Sequence, residues 1–110
     1  MNDLDKAKKQ VETFLGGKEI TFSIRNFPNG EWIAECNEMP AIMTGGMGDD
    51  ITAMDMMIRD AIATAAGIKP ELTKDAIKFT GLRNIGSKVS NLFKSEKKNR
   101  RNREAEYVIA

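Results

Sequence analysis

Histidine is absent from this chain and cysteine occurs once, as Cys36. That leaves no imidazole base, no His/Cys zinc site, no Ser-His-Asp triad and no disulfide within the chain. The groups left for chemistry are carboxylates, glycines, methionines and a run of bases. Glu38, Asp49, Asp50 and Asp55 are hard oxygen donors of the kind that hold magnesium, but their spacing matches no EF-hand loop. Nothing fixes a separation between any two of them for paired acid/base work. Gly45-Gly46-Met47-Gly48 stands before a helical stretch, where a phosphate cradle would stand. Asp49 and Asp50 occupy the helix start, however, where they use its dipole and repel phosphate, and no Gly-Lys-Ser/Thr follows. Cys36 falls on the apolar side of an alternating stretch and fits a buried thiol better than a nucleophile. Of the methionines between Met39 and Met57, Met54 and Met57 suit a core, with Met39, Met43 and Met47 partly exposed around a loop. No catalytic residue, metal site or cofactor emerges, and the expectation is a non-catalytic protein.

The charges are unevenly placed. Residues 1–68 hold 6 Lys+Arg against 11 Asp+Glu, whereas residues 69–110 hold 11 against 5. An acidic body therefore precedes a basic segment, and each favours partners of the opposite sign. The densest cluster is Lys94, Lys97, Lys98, Arg100, Arg101 and Arg103, which offers a salt-dependent, sequence-tolerant grip on phosphates. No aromatic side chain interleaves the run, so stacking on single-stranded bases is not expected. Like charges with no apolar anchor among them predict a mobile segment.

The elements that must position these groups follow from periodicity. At 110 residues with 41% apolar content, the chain suits a single domain with an ordinary core. No apolar run reaches the roughly 18 residues of a membrane span. The charged start, Met1 to Gln10, lacks a secretory h-region, so a cytoplasmic location is expected. Asn2 or Asp3 can cap a helix over 3–15, with Leu4, Ala7, Val11 and Phe14 on one stripe and Gly16-Gly17 ending it. Ile20, Phe22 and Ile24 then alternate with polar residues, as do Trp32, Ala34 and Cys36. Phe27-Pro28-Asn29-Gly30 between them carries turn chemistry, so strands near 19–26 and 31–36 form an antiparallel hairpin. A third strand is expected near 41–45, followed by a flexible glycine connection at 45–48. Asp49 or Asp50 caps a second helix, 50–66, whose apolar face runs through Ile51, Met54, Met57, Ile58, Ala61, Ile62 and Ala65. Asp55, Arg59 and Asp60 fall off that face. Beyond Gly67 and Pro70, Leu72 to Phe79 suggests a short helix, Ile85 to Phe93 another amphipathic piece, and Tyr107-Val108-Ile109 has strand propensity. The fold class is α+β: a small antiparallel sheet of three to four strands under one main helix, with an N-terminal helix and a basic C-terminal segment, 69–110. The core is expected over about 19–68.

The stretch Ala34-Glu35-Cys36-Asn37-Glu38-Met39-Pro40-Ala41-Ile42-Met43-Thr44 resembles the HicB-like antitoxin family. Glu31-Trp32-Ile33-Ala34-Glu35 is similar to its aromatic-led second strand, and Met39-Pro40 to its Leu-Pro. Gly48-Asp49-Asp50-Ile51 and Arg59-Asp60-Ala61-Ile62 resemble the start of its helix and the Arg-Glu-Ala-Ile-like residues that end it. Asn37 stands where the family has a proline. The resemblance covers about residues 19–66. It implies a partial RNase H-like core in which the final strand rejoins the sheet. It also implies a binding scaffold that neutralises a small HicA-type ribonuclease by covering its RNA-binding face.

An acidic body suits a basic partner of that kind. The leading expectation is thus a small basic toxin-like protein bound through Glu31, Glu35 and Glu38. The alternative is a nucleic-acid-associated accessory protein working through residues 94–103; no membrane is involved, and a homo-oligomer stays open. Trp32 heads the alternating face of the second strand and should be buried against the 50–66 helix. Trp32→Ala should then cost about 3–5 kcal/mol, enough to unfold a marginal small domain. A thermal melt unchanged within a degree or two would place Trp32 on the surface.

Overall fold

A computed structural model of the chain describes residues 2–84 and 102–110. Helix α1 spans Asp3–Leu15; strands β1 and β2, Glu19–Asn26 and Glu31–Cys36, form the hairpin; β3 is Met43–Met47. Helix α2, Ile51–Ala66, is followed by a 3-10 turn at Pro70–Leu72 and a single helical turn, α3, at Thr73–Ala76. Strand β4, Ile77–Asn84, and strand β5, Asn102–Ile109, complete an antiparallel sheet in the order β3-β2-β1-β5-β4. The class is α+β, with five strands in the sheet rather than three or four. Two expectations are corrected, the first of which accounts for the extra strand. Leu72 to Phe79 does not form one helix: the chain makes only short turns before Ile77 and then extends. Gly45 and Gly46 are not a flexible connection but sit inside β3, paired with Ile33 and Trp32.

The glycines are there because the strands leave no room for more. A Cβ on Gly45 would stand 2.7 Å from the Trp32 carbonyl oxygen, and one on Gly46 would stand 3.1 Å from the Trp32 indole. Trp32 itself is 3% exposed.

The buried apolar groups of β1, β2 and β5 turn to one face. Ile20, Phe22 and Ile24 of β1, Trp32, Ala34 and Cys36 of β2, and Ala105, Tyr107 and Ile109 of β5 are all buried. They meet Met54, Ile58, Ile62 and Ala66 of α2 and Val11 and Leu15 of α1. Each large side chain removed from water here contributes about 1.5–3 kcal/mol. That exceeds a surface ion pair, at about 0–1 kcal/mol, so the apolar pattern decides which face is covered. On α1 the buried stripe is Ala7, Val11 and Leu15, one step round from the expected Phe14, which is half exposed. On α2, Met57, Ala65 and Ile51 lie outside the core, because the helix crosses the sheet on the narrower Met54–Ile58–Ile62 seam. Asn2 caps α1 by accepting from Asp5 N–H, and Asp50 caps α2 by accepting from Thr52 N–H. The C-terminus of α2 is capped from outside. Gln10 of α1 donates to the carbonyls of Ala66, at 2.6 Å, and Gly67, at 3.3 Å, satisfying groups the helix leaves free.

Asp55 and Arg59 are where periodicity misleads most. They lie off the apolar seam yet are half-buried, on the flank of α2 that faces β4 and β5. Arg59 Nε donates to both Asp55 oxygens at 3.0 Å, and its Nη1 donates to the carbonyls of Thr73 and Ile77 at 2.6 Å. The guanidinium carbon lies 5.4 Å from the centre of the Tyr107 ring, and the Tyr107 hydroxyl donates to Asp55 Oδ1 at 2.7 Å. Phe22 and Phe79 flank the same ring, with centroids 6.4 and 5.3 Å away. The C-terminal strand that Tyr107-Val108-Ile109 predicts is therefore present, longer than expected and locked to α2.

Burial pushes the Tyr107 phenol far above its ordinary 10.0, and its bond to Asp55 adds to the shift. Tyr107 is the sole tyrosine, so phenolate absorbance reports on this group alone. Below about pH 10 both folded and unfolded states keep the proton and stability is flat with respect to this group. Above it the unfolded state ionises and the folded state does not, so stability falls by about 1.4 kcal/mol per pH unit. Urea unfolding of the native chain should show this alkaline loss in excess of Tyr107→Phe. A folded protein whose phenolate signal grows in near pH 10 would refute the clasp.

Candidate functional site: the open face of the sheet

Side chains on the second face of the sheet meet no helix among the described residues. Strand register arranges them in rows. Met43, Glu35, Ser23, Glu104 and Arg83 form one row across all five strands. Gly45, Ile33, Arg25 and Asn102 form the next, and Met47 lies beside Glu31 beyond it. On the other side come Thr21 with Glu106, then Glu19 with Val108 and Lys78. Glu19, Glu31, Glu35, Glu104 and Glu106 thus face the cations Arg25, Lys78 and Arg83, and Arg83 already pairs with Glu104 and Glu106. The face is acidic.

It is also ordered by its own hydrogen bonds. Glu38, in the turn after β2, accepts from Thr21 N–H at 2.7 Å and from Thr21 Oγ1 at 2.8 Å. Asn37 Nδ2 donates to Thr21 Oγ1 at 3.0 Å and to Glu104 Oε2 at 3.3 Å, and Ser23 Oγ donates to Asn37 Oδ1 at 2.8 Å. Arg83 closes the chain by donating to Glu104 Oε1 through Nε, at 3.1 Å, and Nη2. The network crosses β1, β5 and β4 and holds these side chains in place with no covering element among the described residues. Preordered groups lose less entropy when a partner arrives.

The three carboxylates expected to meet a partner do not share one role. Glu31 and Glu35 stand on the open face as β2 alternation predicts. Glu38 is spent on the strand ladder: it ties the β2–β3 turn to β1, so it is a fastening of the fold as well as a surface charge. Cys36 beside it is buried, its thiol 3.6 Å from Glu38 Oε1, and burial pushes that thiol up. Among the expected phosphate contacts, Lys94, Lys97, Lys98, Arg100 and Arg101 lie outside the described residues, as does the amphipathic piece over Ile85 to Phe93. Arg103 is described and departs from the expected mobile segment. It belongs to β5, pairs with Ile24 in register, and turns to the helix-covered face. Its side chain is 11% exposed, donates to Asn26 Oδ1 at 3.2 Å and lies 3.6 Å from an Asp49 oxygen. The strand reclaims Arg103 because Ala105, Tyr107 and Ile109 set an inward parity that Arg103 shares.

Among the described residues no group of three or more His, Cys, Asp or Glu side chains is placed to hold a metal ion. Asp49, Asp50, Asp55 and Glu38 are separately engaged, with Arg103, Thr52, Arg59 and Thr21 respectively. No described helix is long and apolar enough to cross a membrane.

The distinction between Glu35 and Glu38 is measurable. Glu38→Ala should lower stability by about 1–2 kcal/mol, the worth of two hydrogen bonds to an exposed carboxylate. Glu35→Ala should stay within about 0.5 kcal/mol of the native chain. Equal urea midpoints for the two variants would remove the fastening role of Glu38.

Comparison with known proteins adds no name to this geometry: no family model, no curated protein and no solved structure matches the chain.

Proposed function

We propose that this chain is a non-catalytic binding protein of the HicB-like antitoxin kind, acting in the cytoplasm as one half of a toxin-antitoxin system. On this reading its acidic open face docks on a small basic HicA-type ribonuclease and blocks the surface that receives RNA. The observation that carries the proposal is the excess of carboxylates, among the described residues, on an internally ordered sheet face that no described helix covers. A field of one sign speeds encounter with a basic partner and disfavours others. The resemblance over residues 19–66 supports it. So does the return of the final strand to the sheet, which the resemblance implies.

The test uses a small basic HicA-type ribonuclease, sought first among the reading frames beside that of this chain, with RNA cleavage and binding as readouts. The native chain should abolish cleavage at equimolar ratio, and binding should weaken as salt rises. Glu31→Lys with Glu35→Lys should weaken binding by about tenfold or more while leaving the circular dichroism spectrum unchanged. Glu38 is left alone because its loss would loosen the fold. A native chain that leaves cleavage untouched overturns the function, and a double variant of native affinity overturns the surface.

A further inference from the structure

The sheet has two outer strands among the described residues, β3 and β4, and they are guarded very differently. Strand β4 carries Lys78 and Arg83 and is distorted between Phe79 and Gly81. Charge and irregularity of this kind discourage a neighbouring strand from adding to an edge. Strand β3 reads Met-Thr-Gly-Gly-Met: it has no charge, no proline and an unbroken register against β2. Its backbone parity is fixed at both ends. Cys36 N–H donates to Ile42 O at 3.0 Å, and Gly48 N–H donates to Gly30 O at 2.8 Å. The even-numbered residues therefore exchange bonds with β2. By antiparallel alternation the N–H and C=O groups of Met43, Gly45 and Met47 point outward.

Those outward groups are symmetric about Gly45, which makes the edge complementary to itself when a second strand runs antiparallel. We infer that two copies of this chain join edge to edge through β3, about a two-fold axis at Gly45, into one continuous sheet. Met43 then lies opposite the partner's Met47, Gly45 opposite the partner's Gly45, and Met47 opposite the partner's Met43. The three hydrogen-bonded pairs supply about six backbone bonds. Met43 and Met47, 55% and 68% exposed in a single copy, become neighbours on the open face and shield each other from water. On the helix side an open groove of about 300 Å³ runs between β3 and α2, lined by Ile42, Thr44, Ala61, Thr64 and Ala65. It leaves space beside the edge for the second copy. Asp60 is the charged residue that borders this groove. A second copy fits this edge better than a foreign strand because the Met-x-Gly-x-Met spacing matches its own reversal and brings no charge against charge. The pairing leaves the acidic face open and doubles its extent, so it does not depend on the proposed ribonuclease partner.

The experiment is sedimentation velocity of the full chain over a wide concentration range. The native chain should show a reversible monomer–dimer equilibrium. Met43→Lys with Met47→Lys sets like charges against each other across the axis and should raise the dimer dissociation constant at least ~10-fold. Both side chains are exposed, so the circular dichroism spectrum should not change. Met43→Lys with Met47→Glu sets opposite charges in register and should restore the dimer. A native chain that stays monomeric throughout overturns the inference. So does a dimer that survives the double lysine variant, or a charge-swapped variant that remains monomeric.

Discussion

A guanidinium that is largely out of water has to be answered on every side, and the answer given to Arg59 organises this molecule. Its side chain is 14% exposed. Asp55 neutralises it through Nε, the carbonyls of Thr73 and Ile77 accept from Nη1, and the Tyr107 ring lies against its face. These partners come from three separate parts of the chain, so satisfying one cation fixes the roll of α2, the turn into β4 and the seat of β5 together. Such a cluster is not a cheap source of stability, because removing two charges from water costs about what their attraction returns. What it does impose is that the partners arrive together. Losing Asp55 leaves Arg59 a buried charge without its counterpart, a cost of about 3–5 kcal/mol in comparable settings.

That arrangement explains why the two faces of the sheet are so unlike. The clasp, the Met54–Ile58–Ile62 seam and Gln10 all hold helices on one side, where the apolar groups are. On the other side the chain uses short polar residues, Thr21, Ser23 and Asn37, to hold acidic ones in position. Asn37 stands at a place where a proline would make none of its three side-chain bonds, and it joins β1 to β5 through Glu104. The open face is therefore finished by its own network rather than by burial.

Much of this was legible in the sequence. The helix bounds, the β1–β2 hairpin, the burial of Trp32 and Cys36 and the return of the last strand follow from spacing, caps and turn residues. Three features were not. The turn before β4 hides because Leu72, Ala76, Ile77 and Phe79 fit a helical stripe as well as a strand entry, and only pairing with β5 decides between them. Gly45 and Gly46 look like a loop by composition, since the reason for two glycines lies in Trp32, on another strand. Asp55 and Arg59 look solvated because their partners, Thr73, Ile77 and Tyr107, are distant along the chain. For the site, alternation located Glu31 and Glu35, but the tie between Glu38 and Thr21 is a tertiary fact. Arg103 was assigned by its neighbours in the run rather than by its parity with Tyr107.

Strand β5 lies between β1 and β4, although it is the last of the described strands to be made. On a ribosome, α1, the hairpin, β3 and α2 emerge first, and roughly forty residues more must follow before β5 appears. At about 5–20 residues per second that interval lasts a few seconds. Throughout it one whole edge of β1 has no neighbour, β4 has nothing to pair with, and Arg59 waits for its aromatic cover. The nascent chain is thus a client for holding chaperones, and a message cut short before Asn102 yields a product that cannot close its sheet. Only translation through Asn102–Ile109 supplies the strand that closes it.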